Sequence, residues 1–234
     1  MSSVPKLIST VAVSGLQHAK RERRKQDRPG ELLDAALELF VEKGFAATRS
    51  EEVAARAGVS KGTLFVYFPT KEELFKAVVR ENISGRFREW EEEFRAFEGN
   101  SADMVRYCLK VWWERVGGTS ASGITKLMMS EAQNFPELAA FYHQEVVQPG
   151  QELIRRILRR GVERGEFREM DLEYSAFSLT APMVFLMMMK HSLCACMPPD
   201  CQLDPERFIA AQTETLLYGL CVRPDDPPPG RAAK

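Results

Sequence analysis

Several things are scarce in this chain of 234 residues, and each scarcity closes off a class of protein. Five cysteines, an odd number without framework-like spacing, exclude a disulfide-stapled scaffold and suit a reducing cytoplasm. Net charge is nearly absent, at −1, so composition alone does not advertise a nucleic-acid binder. No apolar run approaches the roughly 18–20 residues of a membrane span, and no membrane partner is expected. The opening MSSVPKLISTVAVSGL carries a single lysine, and a basic segment stands where a signal peptide has a small-residue cleavage site. It reads as a disordered leader. Strand-like alternation and internal repeats are missing, which leaves an all-α chain. There is no nucleophile–base pair, metal set or phosphate-cradling glycine loop, so no enzyme, cofactor or metal is expected.

What is present is concentrated between Thr48 and Lys71. Thr48 with Glu51 has the spacing of a capping box for a short helix carrying Val53, Ala54 and Ala57, and Gly58 suits its left-handed end. Ser60 can cap a second helix that turns Leu64 and Phe68 inward, and Pro69 stops it. Two short helices around a glycine turn make a helix-turn-helix. Charge is distributed to match: residues 20–71 hold eleven Lys/Arg against eight Asp/Glu, and Lys20 to Arg28 alone holds six against two. That arm precedes a first helix with Leu32, Leu33, Ala36, Leu37 and Phe40 on one face, and it reads as a phosphate-gripping extension or a solvated tail.

The run from about Pro29 to Val79, roughly a fifth of the chain, resembles the DNA-binding domain of the TetR/AcrR family of bacterial transcriptional regulators. The likeness rests on Ala35-Ala36-Leu37-Glu38-Leu39-Phe40, Lys43-Gly44-Phe45, Thr48, Val53-Ala54-Ala55-Arg56-Ala57-Gly58-Val59-Ser60, Lys61-Gly62-Thr63-Leu64, Phe68 and Lys71-Glu72-Glu73-Leu74. It implies that Lys61, Gly62, Thr63, Phe65, Tyr67 and Lys71 meet DNA. Thr48 and Lys71 would grip phosphates, with Arg49 and Ser50 assisting. A lysine suits guanine O6/N7 and a threonine suits a thymine methyl. Phe65 stands where the family usually has tyrosine, and Tyr67 where it often has histidine.

Beyond Lys71, Phe75, Val79, Ile83, Phe87, Trp90, Phe94 and Phe97 recur every three or four residues. They predict one long fourth helix of roughly seven turns, with a bend possible at Gly85. Expected domains are a leader and basic arm over 1–28, a helix-turn-helix domain over 29–80, an effector and dimerisation domain over 81–222, and a disordered tail over 223–234. About nine helices are expected. A fifth helix carries Met104, Val105, Cys108, Leu109, Trp112 and Val116, and Gly117 to Gly123 reads as a flexible loop. Pro149 should kink or split the seventh helix, and Gly165 closes it. The eighth, capped by Asp171, is apolar all round from Ala176 to Met189. The ninth, starting at Asp204-Pro205, sets Phe208, Ala211, Gln212, Thr215, Leu216 and Gly219 on one face.

The resemblance implies a small-molecule effector and a homodimer in this second domain. Trp112, Trp113, Met128, Phe135, Phe141, Tyr142, Met183 and Met187 are candidates to line an apolar pocket, with Met129 beside them. Glu131, Asn134 and His143 are polar candidates that also read as surface groups. The eighth and ninth helices would pair with their symmetry mates. Cys194, Cys196 and Cys201 match no common zinc spacing. The expected function is a cytoplasmic repressor released from a palindromic operator by an apolar or amphipathic effector. An effector-independent activator or architectural protein is the alternative, and a helical carrier or enzyme is a remote one.

Overall fold

A computed structural model describes residues 28–198 and 203–220. The leader, most of the basic arm, Cys201 and residues 221–234, the tail at 223–234 among them, lie outside the described residues. Helix α1 (28–43) buries Leu32, Ala36, Leu37 and Phe40, and Gly44 at φ +86° ends it, its N–H donating to Phe40 O at 3.0 Å. Helix α2 (Ser50–Arg56) follows, then Gly58 at φ +66° and helix α3 (Lys61–Tyr67). Ser60 Oγ accepts from Thr63 N at 3.1 Å, and Thr70 Oγ1 accepts from Glu73 N at 3.1 Å to open helix α4 (Lys71–Asn82). Phe40, Phe45 and Phe75 pack as a triangle with ring centroids 5.5 Å apart on each side, the centre of this first unit.

The fourth helix is not one uninterrupted rod. The α-helical ladder ends at Ile83 (φ −131°, ψ −71°), a 3-10 turn spans Ser84–Arg86, and helix α5 runs Phe87–Arg95. A Cβ on Gly85 would lie 2.6 Å from Arg80 O, so this close turn admits only glycine. The apolar line carries across the break, with Ile83 and Trp90 both buried. Periodicity therefore revealed the stripe and hid the interruption.

The second unit comprises α6 (Ser101–Trp112), α7 (Ser122–Glu131), α8 (Pro136–Tyr142), α9 (Gln148–Glu163), α10 (Leu172–Met188) and α11 (Pro205–Leu220). Short π turns extend α6 over Trp113–Gly117, join α8 to α9 over His143–Val147, and extend α10 over Met189–Leu193. Counting runs joined by 3-10 or π turns as one gives nine among the described residues, all α. Pro149 falls in the first turn of α9, and the run passes it through the π turn at His143–Val147 rather than splitting. Gly165 sits at φ +69° beyond α9.

The segment 117–123 is not the flexible loop that its small residues suggested. Lys190 Nζ donates to Gly117 O, Gly118 O and Thr119 O at 3.3, 2.7 and 2.7 Å. Ser122 Oγ donates to Thr119 O and lies 2.8 Å from His191 Nε2. Burial lowers the pKa of Lys190; burial and the Lys190 and Lys126 charges lower that of His191. Gly123 lies directly against Val41 of α1, where a Cβ would come within 2.5 Å of a methyl.

Two helix faces differ from expectation. In α11 the buried stripe is Ile209, Thr213 and Leu217, one position along from the face that sequence spacing suggested. Helix α10 with its π turn, Leu172–Leu193, is long and apolar enough to cross a bilayer by length and composition, contrary to the sequence expectation. Ala176, Leu179, Met183, Leu186 and Met187 nonetheless pack into the core, while Tyr174, Phe177 and Phe185 stay exposed on another face.

Gly161 of α9 supplies a test of this packing. A Cβ there would lie 2.1 Å from the ring of Phe167, which is fully buried and has nowhere to move. Gly161→Ala should lower stability by about 1–3 kcal/mol despite the better helix propensity of alanine. Gly30→Ala, which meets nothing within 4 Å, should leave the melting temperature unchanged or slightly raised.

Candidate DNA interface and ligand cavity

The first turn of α3 faces outward. Lys61 and Gly62 are exposed, Thr63, Phe65 and Tyr67 are half-buried, and Leu64 is fully buried, anchoring the helix. Lys61 pairs with Glu51, holding that carboxyl below its ordinary pKa, and its ammonium lies 5.5 Å from the Phe65 ring centroid. An exposed pair of this kind is weak and readily exchanged for a phosphate or a base edge. Thr63 Oγ1 lies 2.9 Å from Ser60 Oγ. Gly62 has only Ser60 Oγ near its missing Cβ, at 3.7 Å, so backbone there is open to close approach. Val66, one turn beyond Thr63, is 80% exposed and offers a methyl surface suited to thymine.

Of the residues expected at phosphates, Thr48 needs correcting, and Lys71 makes contacts within the protein. Thr48 is 1% exposed and its Oγ1 is directed inward to Gly44 O (2.7 Å) and Leu39 O (3.1 Å). It neither caps α2 nor faces solvent. The capping position belongs to exposed Arg49, whose N–H donates to Glu52 Oε2 at 3.4 Å rather than to Glu51. Ser50 is half-buried as the first residue of α2. Lys71 is directed beneath the turn between α1 and α2. Its Nζ donates to Phe45 O, Ala46 O and Thr48 O at 2.8, 3.3 and 3.1 Å and lies 4.4 Å from the Phe45 ring centroid. Three carbonyls occupy the ammonium that was assigned to phosphate.

The same turn is held from the other side. Glu131, at the end of α7, accepts from Phe45 N at 3.0 Å through Oε1 and from Ala46 N at 3.2 Å through Oε2. Phe135 stacks edge-on against Phe45 with centroids 4.8 Å apart. Further along, Arg80 pairs with Glu145 at 3.2 Å and lies 5.0 Å from the Phe141 ring, and Ser84 Oγ donates to Glu145 at 3.4 Å. These contacts tie α4 to the second unit beside the break in the helix.

Within the second unit a cavity of about 180 Å³ lies between α5, α6, α7, α9 and α10. Of the expected residues, Trp112, Tyr142, Met183 and Met187 line it. Trp113 instead borders a separate groove between α6 and α11, with Arg106 and Glu214. Met128 is buried in the core, Met129 is exposed, and Phe135 and Phe141 pack against the first unit. Helical spacing identified them as apolar but could not say which side of each helix faces the cavity. Missed were Ile83, Phe87, Trp90 and Phe94 from the fourth-helix stripe, and Gln151 and Thr180. The aromatic density of that stripe, more than one packing face needs, was the signal. Tyr142 Oη lies 2.8 Å from Thr125 Oγ1, and burial pushes its pKa up to about 12; burial does the same to the Cys108 thiol. Both stay neutral. Among the described residues no cluster of side chains is arranged to hold a metal.

A helix-turn-helix with an outward first turn, joined to a helical unit enclosing an apolar cavity, defines the class of protein. The family model described as bacterial regulatory proteins, tetR family, matches residues 32–78. A second, tetracyclin repressor-like C-terminal domain, matches residues 101–194. The chain belongs to the TetR family of bacterial regulatory proteins. The HTH-type transcriptional regulator RutR of Escherichia coli K12 is 39% identical over 86 residues, covering 37% of this chain and 39% of that protein. The fatty acid metabolism regulator protein of Bacillus subtilis is 26% identical over 147 residues, 62% of this chain and 74% of the relative. Among solved structures, the fatty acid degradation regulator FadR of Bacillus halodurans gives a TM-score of 0.64 at 21% identity, covering 81% of this chain and 94% of that one. The Bacillus subtilis FadR complex with stearoyl-CoA gives 0.63 at 19%, covering 81% and 97%. At these identities the structures speak to the fold.

Lys71→Ala separates a structural role from a phosphate contact. Losing a charge-assisted partner to three carbonyls should cost about 1–3 kcal/mol of stability, read as a fall in melting temperature without DNA. An unchanged melting temperature would return Lys71 to the DNA-contact set.

Proposed function

We propose that this protein is a cytoplasmic, homodimeric transcriptional repressor that binds a palindromic operator and releases it when an apolar ligand fills the cavity. The observation carrying the reading is the turn from Gly44 to Thr48, held by Lys71 of the helix-turn-helix unit and by Glu131 of the cavity-bearing unit. Residues 29–80 act as the DNA-binding domain and 81–222 as the effector and dimerisation domain. Lys61, Gly62, Thr63 and Val66 meet base edges in the major groove, with Arg49, Ser50, Phe65 and Tyr67 flanking them. RutR is named a transcriptional regulator, and the solved relative from Bacillus subtilis holds stearoyl-CoA, which supports a ligand-responsive DNA binder.

Thr125 on the cavity and Glu131 on the turn belong to one helix, six residues or about 9 Å apart. Ligand that displaces Tyr142 and Thr125 moves α7, and Glu131 carries the movement to the start of α2. Ligand and operator then oppose each other by one coupling free energy, whichever binds first. The dimer forms through α10 and α11. Tyr174, Phe177 and Tyr218 are 73, 48 and 75% exposed there, more aromatic surface than a solvated helix pair carries.

Selection from random duplex DNA tests this. The protein should enrich a two-fold symmetric site with half-sites about one helical turn apart. Lys61→Ala should weaken binding at least tenfold, and Phe177→Glu should give monomers in sedimentation that lose the symmetric site. Retention without sequence preference, or a dimer indifferent to Phe177→Glu, contradicts the respective part.

A further inference from the structure

The cavity's lining is unusual in one respect that limits what can occupy it. No Asp, Glu, Lys, Arg or His is among its lining residues. A charge buried there would lose its water and gain no partner. Polar character comes from neutral groups alone: the Tyr142–Thr125 pair, the Trp90 indole, whose buried Nε1–H has no hydrogen-bond partner, and Gln151, whose Nε2 donates to Thr180 Oγ1 at 3.0 Å. Gln151 is 9% exposed, and its Oε1 has no hydrogen-bond partner. A buried acceptor left open in this way is completed by a donor. The volume of about 180 Å³ is only slightly above that of an engineered apolar cavity of about 150 Å³ that admits benzene.

We infer that the effector is a compact, uncharged, mainly apolar molecule carrying one hydroxyl, which donates to Gln151 and whose oxygen is an acceptor suited to the Trp90 N–H. This rests on the cavity being the effector site, and it excludes ligands whose carboxylate, phosphate or ammonium must enter with the apolar part. Thr180 Oγ1 already donates within α10, to Ala176 O at 3.1 Å, which leaves the amide oxygen of Gln151 as the open acceptor, with Trp90 Nε1 an open donor on the same cavity. Met183 and Met187, unbranched and adaptable, border the space and set its tolerance for different carbon skeletons.

Four probes of one chain length test the charge and the donor: 1-octanol, its isomer heptyl methyl ether, octanoate and octylammonium. Binding to the full chain is read by tryptophan fluorescence, because Trp90 and Trp112 line the cavity. The full chain should bind 1-octanol at least tenfold more tightly than octanoate or octylammonium, and several-fold more tightly than the ether. Gln151→Met should erase the preference for alcohol over ether. Gly150→Leu locates the response. Gly150 lines the cavity and its nearest neighbour to an added Cβ is the Phe87 ring at 3.8 Å, so the larger side chain fills open space and should abolish binding of every probe. Octanoate binding as tightly as 1-octanol, or an alcohol preference that survives Gln151→Met, overturns the assignment while leaving the cavity as a ligand site. Binding of no probe, or binding that Gly150→Leu leaves intact, removes the cavity itself and the proposed regulation with it.

Discussion

The rest of the structure depends on how five residues of backbone, Gly44 to Thr48, are held. A turn between two helices leaves peptide groups that the helices cannot pair, and these need partners from elsewhere. Here the partners carry opposite charges and come from opposite sides. The ammonium of Lys71 takes three carbonyls, and the carboxylate of Glu131 takes two N–H groups. Thr48 closes the turn from within, and Phe45 at its centre is packed by Phe40, Phe75 and Phe135. Because α2 begins two residues later, any displacement of Glu131 reaches the helix-turn-helix through its own backbone.

This arrangement places the link between the units somewhere other than an unbroken fourth helix. With the α-helical ladder ending at Ile83 and resuming at Phe87, α4 and α5 need not move as one body. Contacts between the units supply the stiffness instead. Glu131 and Phe135 hold the turn, Gly123 fits against Val41, and Arg80 and Ser84 hold Glu145 beside the break. Helix α7 contributes to both the cavity and the turn, which makes it the shortest rigid path between them.

What was legible in the sequence followed from local chemistry. The left-handed glycines at Gly58 and Gly165, the caps at Ser60 and Asp171, and the interruption beside Pro149 are all fixed by neighbouring residues, and spacing reveals such features. Readings failed where a distant partner decides a side chain's direction. Thr48 has the spacing of a cap, but carbonyls of α1 and the turn take its hydroxyl. Lys71 sits where a phosphate contact belongs, yet carbonyls at least 23 residues away hold it. Trp112 and Trp113 are adjacent and alike, and only the angle of α6 decides that one lines the cavity and the other the groove beside α11. Gly85, read as a place for a bend, marks a turn whose tightness comes from the carbonyl of Arg80.

Amide hydrogen exchange at Phe45 and Ala46 measures the coupling most directly, since both N–H groups bond to Glu131. Filling the cavity, with 1-octanol or through Gly150→Leu, should change exchange at these two amides by severalfold while those buried in α1 stay unchanged. In Glu131→Gln the response to filling should be lost. Amides at Phe45 and Ala46 that exchange at one rate whether the cavity is open or filled would show that ligand does not act on the DNA-binding unit through this turn.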